Sequence, residues 1–142
     1  MSLSADRNTP QICPSYSFLR ELPVKGAVKI YAGGIVVLDG GYAKPAAEAT
    51  GLVAVGRAEE YVDNSNGSDG DVFVKVRRGI FRYKNSSGDD EITRAEIGSD
   101  CYLVDDETVA KTDGDTGSGP TRSVAGRVFD VDDEGVWVEF YK

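Results

Sequence analysis

Apolar residues fall along this chain in short runs with a two-residue period, broken every few positions by glycine, aspartate or asparagine. Val28-Lys29-Ile30-Tyr31 reads as a short strand, and Gly33-Gly34 turns the chain. Ile35 to Leu38 is apolar without a break, which predicts a strand buried on both faces or at a crossing. Asp39-Gly40-Gly41 is a hairpin turn, because these residues tolerate positive φ, and Tyr42-Ala43-Lys44 is the return. Leu52 to Val62 and Val72 to Tyr83 are the next strands. The second points Val72, Val74, Val76 and Ile80 at the core, and Gly79 interrupts it with a kink or bulge. Glu91 to Ile97 reads as one short helix ending at Gly98, with Ile92 and Ala95 inward. Nothing alternates strands with helices of roughly 10–15 residues, so a parallel α/β sheet is excluded.

The later strands repeat the earlier ones. Val124-Ala125-Gly126-Arg127-Val128, then Val131-Asp132, Gly135 and Val136-Trp137-Val138, follows the plan of Ala54-Val55-Gly56-Arg57-Ala58, then Val62-Asp63, Gly70 and Val72-Phe73-Val74. Upstream, Cys101–Asp105 and Val109–Lys111 match Ile35–Asp39 and Tyr42–Lys44. The first copy holds one extra residue between Gly-Arg and Val-Asp, which a β-bulge would absorb. The expected fold is therefore all-β: a small antiparallel barrel or sandwich of two similar four-strand units, about 33–84 and 98–142, with at most one short helix. Residues 1–25 carry Pro10, Pro14 and Pro23 and no clean period, so they form an extended arm ahead of a domain at 26–142. Such an arm is a disordered tail, a strap over the body, or a strand added to a partner's sheet.

A length of 142 residues suits one domain. The formal charge of −8 disfavours phosphate-backbone binding, so no nucleic acid is expected as partner. No apolar run approaches the ~20 residues that span a bilayer, and no secretory signal is legible, so no membrane is expected either. Cys13 and Cys101 are too few for a disulfide framework and are expected to be reduced.

The chain has no histidine, which removes the commonest general base and a common metal ligand. No phosphate-cradling glycine motif opens a helix. Asp115-Thr116-Gly117-Ser118-Gly119 spells an aspartic-peptidase loop, and a dimer could pair two copies. However, Asp113, Gly114 and Pro120 flank it, so nothing would desolvate Asp115. Asp63, Asp69 and Asp71 give one loop the oxygen density of a calcium site, without the EF-hand spacing. The pairs Asp89-Asp90, Asp105-Asp106 and Asp132-Asp133 sit in turns, where Asp serves local backbone hydrogen bonds. The expectation is no enzyme, no cofactor and no metal.

The stronger signal lies on the outer faces. If Val136, Val138 and Phe140 point in, then Trp137, Glu139 and Tyr141 point out. In the first copy Phe73 and Lys75 fall at the positions of Trp137 and Glu139. With Tyr16, Phe18 and Leu19 of the arm, these residues are the candidate interface.

Gly79-Ile80-Phe81, then Ile97-Gly98-Ser99-Asp100-Cys101-Tyr102-Leu103-Val104-Asp105, Val109, and Gly126-Arg127-Val128 before a final alternating strand, follow one another in an order that resembles small capsid decoration (cement) proteins of tailed bacteriophages. The likeness is greatest to the prophage-encoded Gly/Ala/Val-rich β proteins of that kind, over about 25–141. It implies a structural virion protein, made in the bacterial cytoplasm, that binds the capsid exterior and stabilises it. It also implies the major capsid protein as partner and a homo-oligomer, with a trimer expected first. It carries over no catalytic residue. Another tail or accessory virion module on the same scaffold is the alternative.

Overall fold

The computed structural model describes residues 2–12 and 18–142. Among them run twelve strands: β1 (Phe18–Pro23), β2 (Lys29–Ile30), β3 (Ile35–Asp39), β4 (Tyr42–Pro45), β5 (Val53–Ala58), β6 (Val62–Asp63), β7 (Phe73–Arg78), β8 (Ile80–Tyr83), β9 (Asp100–Leu103), β10 (Val109–Ala110), β11 (Val124–Asp132) and β12 (Gly135–Glu139). They form a first sheet ordered β1-β7-β5-β3-β4, a second ordered β8-β12-β11-β9-β10, and a ribbon of β2 and β6. All named strand pairs are antiparallel. The molecule is a small β-sandwich and not a closed barrel.

The two large sheets have the same plan. β8, β9, β10, β11 and β12 take the places of β1, β3, β4, β5 and β7. Each unit thus has five strands in its sheet, one more than the sequence predicted, because β1 and β8 complete it. The bulges agree too. Val36 faces Gly56 and Val37 faces Ala54, which skips Val55; Cys101 faces Gly126 and Tyr102 faces Val124, which skips Ala125. Val36 therefore corresponds to Cys101, one residue away from the match read along the sequence. Likewise Arg57 faces Arg77 and Arg127 faces Glu139. Trp137 then corresponds to Lys75, not to Phe73. The bulges shift the phase, and runs of alternating valine do not reveal where.

These bulges explain the Gly-Arg pair in each unit. A Cβ at Gly56 would collide with the Arg77 carbonyl oxygen, and one at Gly126 with the Glu139 carbonyl oxygen. The neighbouring strand approaches too closely for any side chain.

Two apolar clusters fill the structure. One lies between the sheets and includes Ile35, Val37, Phe81, Tyr83, Leu103, Val136, Val138 and Phe140. The other lies on the opposite side of the first sheet and includes Val36, Val55, Val74 and Val76, with Ile30 and Val62 from the β2·β6 ribbon. β3 sends residues into both, so it is buried on both faces as its unbroken apolar run requires.

The run from Val72 to Tyr83 is two strands, not one. Even residues Val74 and Val76 enter one cluster, and odd residues Phe81 and Tyr83 enter the other. The inward face changes at Gly79, where the chain leaves the first sheet for the second. Two further expectations are corrected. The segment 52–62 is not a bulged strand: β5 ends at Ala58, and β6 leaves the sheet to pair with β2. The expected helix at 91–97 is only a 3-10 turn, Arg94–Glu96, closed by a Thr93/Glu96 capping box, and a second such turn spans Gly88–Asp90. One turn cannot propagate. Ile92 is buried there as expected, but Ala95 is exposed.

The N-terminal arm is part of the body. β1 pairs with β7 over its whole length, and Val24 is fully buried. Ahead of it, residues 2–12 strap the second sheet. Ile12 N–H donates to Ile80 O at 3.1 Å, and Arg82 N–H donates to Pro10 O at 3.1 Å. The Thr9 hydroxyl, buried, donates to Gly33 O at 2.7 Å. Arg57 clamps the strap: its Nη1 donates to Thr9 O at 2.9 Å, and its guanidinium lies 4.2 Å from the Phe81 ring centre. Sequence composition marked this region as separate because backbone pairing, not a periodic apolar stripe, holds it.

Gly126→Ala is expected to lower stability by about 1–3 kcal/mol through overpacking. Gly56→Ala should cost more, because its φ of 144° adds backbone strain to the collision. Alanine at Gly98, where φ is 92° and a Cβ meets open space, isolates the strain alone, at about 1 kcal/mol. Chemical denaturation of the three variants checks the ranking.

Candidate interaction surface

The β1·β7 ribbon forms one border of the first sheet. Alternation turns Val74 and Val76 inward and Phe73 and Lys75 outward. Across the pair, Pro23 faces Phe73, Glu21 faces Lys75 and Leu19 faces Arg77. Three apolar side chains of this ribbon are exposed: Phe73 by 54% and Leu19 by 51% on one face, and Phe18 by 61% on the other. Burying one such side chain in a partner is worth about 1.5–3 kcal/mol. The Arg78 guanidinium sits 4.7 Å from the Phe18 ring centre. Phe18, Arg78, Ile80, Glu139 and Tyr141 line a shallow hollow of about 180 Å³ where the two sheets join.

The second group of expected interface residues lies on the other sheet and is half-buried. Trp137 is covered by Arg82, 5.3 Å from its ring centre, and its indole N–H donates to Asp132 Oδ2 at 3.0 Å. That indole bond, with the Glu134 and Gly135 amides and the Arg82 charge, holds the Asp132 carboxyl below the usual range against a small opposing effect of desolvation. Tyr141 lies under Arg127, at 4.7 Å, and its hydroxyl donates to Asp100 Oδ1 at 2.9 Å. Burial first, and then Asp100, push its phenol up. Trp137 and Tyr141 thus have intramolecular partners. The structure brings Phe18 and Leu19 onto one ribbon with Phe73 and Lys75, and brings Glu139 and Tyr141 to the hollow beside Phe18. It does not place Phe73 and Trp137 on one face. Tyr16, with Cys13, lies outside the described residues.

Sequence reasoning overlooked Phe129, Tyr61 and Ile97, exposed by 44%, 44% and 41%. Phe129 follows the same alternation as exposed Arg127, with buried Val128 between them, so the pattern of β11 did contain that signal.

The polar candidates have local duties. Asp63 Oδ1 accepts from the Ser65 amide at 2.9 Å, Asp69 Oδ1 from the Gly26 amide at 2.8 Å, and Asp71 Oδ2 from the Ser68 amide at 2.8 Å. Among the described residues, no three Asp, Glu, Cys or His side chains gather as a cation cage. Asp115 is exposed, and its Oδ1 accepts from the Gly117 and Gly119 amides at 2.8 and 3.1 Å. An open polar groove of about 660 Å³ runs between the segment after β8 and the β11–β12 turn, lined by Lys84, Arg94, Asp132, Asp133 and Glu134 among others. Lys84 is paired with Glu107 at 2.8 Å. Cys101 is buried, its thiol is pushed up to about 12 by that burial, and it donates weakly to Gly126 O at 3.6 Å.

One acidic turn differs from expectation. Asp105 and Asp106 lie in the β9–β10 turn but are buried, at 7% and 3% exposure, beneath the strap. Asp106 Oδ1 accepts from the Leu3 amide at 2.9 Å, and Asp105 Oδ1 from the Glu107 amide at 2.9 Å. Burial, aided by the charges of Asp105 and Glu107, pushes the Asp106 carboxyl up to about 6 despite the Leu3 bond.

No family model, curated protein or solved structure matches this chain.

The raised Asp106 group makes stability depend on pH in a definite direction. Its folded value, about 6, exceeds the ordinary 3.8, so the folded chain holds the proton more tightly. Its stabilising contribution is complete at about pH 4 and below and is lost as pH rises through about 6. Asp106→Asn, which keeps the acceptor and removes the charge, is expected to raise stability by about 2 kcal/mol at about pH 8 and by nothing at about pH 3.5. Denaturation across this range checks it.

Proposed function

We propose that this chain is a structural virion protein, a decoration protein of a tailed-phage or prophage head. On this reading it binds the capsid exterior, with the major capsid protein as partner and further copies of itself as neighbours in a trimer. It works by adhesion and not by turnover. The observation that carries the reading is the β1·β7 ribbon, where Leu19 and Phe73 stand exposed on the face opposite the packed Val74 and Val76, with Phe18 exposed at the border of the packed face. A patch on a stiff support loses little freedom on docking, so more of its apolar contact energy appears as affinity. Aromatic anchors of this kind dominate protein interfaces. The strap belongs to the chain's own second sheet, so each subunit arrives prefolded. The charge of −8 keeps free subunits apart and away from DNA before assembly.

The test is sedimentation of the purified chain with undecorated heads, together with light scattering of the free chain. Saturable binding at symmetric positions is expected, with a mass of three chains in the oligomer. Phe73→Ser should weaken association by at least about tenfold, whereas Trp137→Ala, whose ring is held internally, should lower stability and leave association unchanged. Failure to bind heads at any concentration rejects the reading, and binding to tails alone replaces it with a tail module.

A further inference from the structure

The correspondence between the two sheets exposes a difference at their borders. β8 occupies in the second sheet the place of β1 in the first. The outer edge of β8 is covered. Gln11 bridges Phe81 in antiparallel fashion, flanked by the bonds from Ile12 N–H to Ile80 O and from Arg82 N–H to Pro10 O. An extended piece of the chain itself is therefore a sixth member of that sheet. Among the described residues β1 is laddered to β7 alone over Phe18–Leu22, whereas its far end meets β4, where Val24 bridges Ala43.

The groups that β1 offers can be read from its pairing. Val24 N–H donates to Val72 O, on the β7 side, and Lys25 N–H donates to Ala43 O, on the other side. Even-numbered residues of β1 thus turn their backbone toward β7, and odd-numbered residues turn theirs outward. Leu19 and Glu21 each present an outward N–H and C=O, and among the described residues no backbone bond outside the β1·β7 ladder reaches them. They are the counterparts of Ile80 and Arg82, the two residues that hold the strap on β8. Between them Arg20, paired with Val76, corresponds to Phe81, paired with Val138.

We infer that the outer edge of β1 accepts an extended segment of another protein chain as an added antiparallel strand, with an acidic side chain opposite Arg20 and an apolar one beside it. Backbone bonds to Leu19 and Glu21 supply the affinity, and the side chains opposite Leu19 and Arg20 supply the selectivity. The pattern is the one seen on β8, where Gln11 lies opposite Phe81 and Ile12 is its apolar neighbour. A second copy of β1 is a poor occupant. A two-fold axis through such a pair keeps each side chain on its own face, so only residues of equal parity meet. Registers that use the length of β1 then set Arg20 against Arg20 or Glu21 against Glu21, and like charges directly opposite are destabilising. The edge thus rejects its own copy and selects an acidic strand, whatever particle the chain decorates.

The probe is a labelled peptide of residues 7–12 carrying Gln11→Glu, titrated into the full chain by fluorescence anisotropy, with the unsubstituted peptide alongside. The substituted peptide is expected to bind at least about tenfold more tightly. Arg20→Glu in the chain should abolish that preference. Glu21→Pro, which removes one outward N–H and leaves the β7 ladder intact, should abolish binding. Hydrogen exchange at the Leu19 and Glu21 amides should slow on addition of the peptide, a readout independent of either variant's folding. Absence of binding overturns the inference. So does binding that ignores Arg20→Glu and protects the Arg82 region instead, since that is displacement of the strap from β8. Head binding with no peptide binding would remove this edge and leave the proposed function standing.

Discussion

The structure depends on a single passage of chain through Gly79. β7 and β8 form one run interrupted by one residue, yet they belong to different sheets and face different clusters. A continuous strand cannot do this, because strict alternation keeps one set of side chains on one face. The crossing leaves little room for a side chain at Gly79: a Cβ there would come within 3.0 Å of Gln11 Nε2 and 3.2 Å of the Phe81 ring. From this point the sheets diverge and the inter-sheet cluster begins, with Phe81 and Tyr83 among its fully buried side chains.

A charged cluster secures the same region from outside. Glu59 receives Arg57 Nη2 at 2.6 Å and Arg77 Nε at 2.8 Å, while Arg57 reaches across to Phe81 and to the strap. Burial opposes the charge of Glu59, but the bonds from Arg57 and Arg77 outweigh it and hold the carboxyl below its ordinary value. In the second unit Arg127 covers Tyr141 instead. The glycine of each Gly-Arg pair admits the next strand, and the arginine caps an aromatic ring nearby.

Much of the fold was legible because sheets are encoded locally. The Asp39-Gly40-Gly41 turn, the doubly buried β3 and the repeat were all readable from alternation and turn residues. The phase of the pairing was not, since a bulge at Val55 or Ala125 changes which residues face each other without changing composition. The role of the N-terminal region was hidden for a similar reason. The hydrogen bonds from Arg82 N–H to Pro10 O and from Ile12 N–H to Ile80 O are backbone contacts, available to almost any residue, so sequence gives no notice of them. Of the candidate surface, Phe73 follows from simple alternation on its strand, whereas Phe18 and Leu19 were legible only as apolar residues of an arm without a period. Trp137 and Tyr141 are also outward, but Arg82 and Arg127 cover them, and such cross-strand pairing needs the register.

The position of β1 also fixes an order of events during synthesis. Its partner β7 lies far along the chain, with Phe18 opposite Arg78. The strap waits longer still, since Pro10 and Ile12 need β8. While a ribosome makes β2 through β6, the opening segment has no sheet to join, and closing so long a loop must precede any gain from pairing. Residues 2–12 and β1 therefore settle only once β7 and β8 have been made, and a nascent chain halted before Tyr83 would leave that segment exposed to proteases and chaperones.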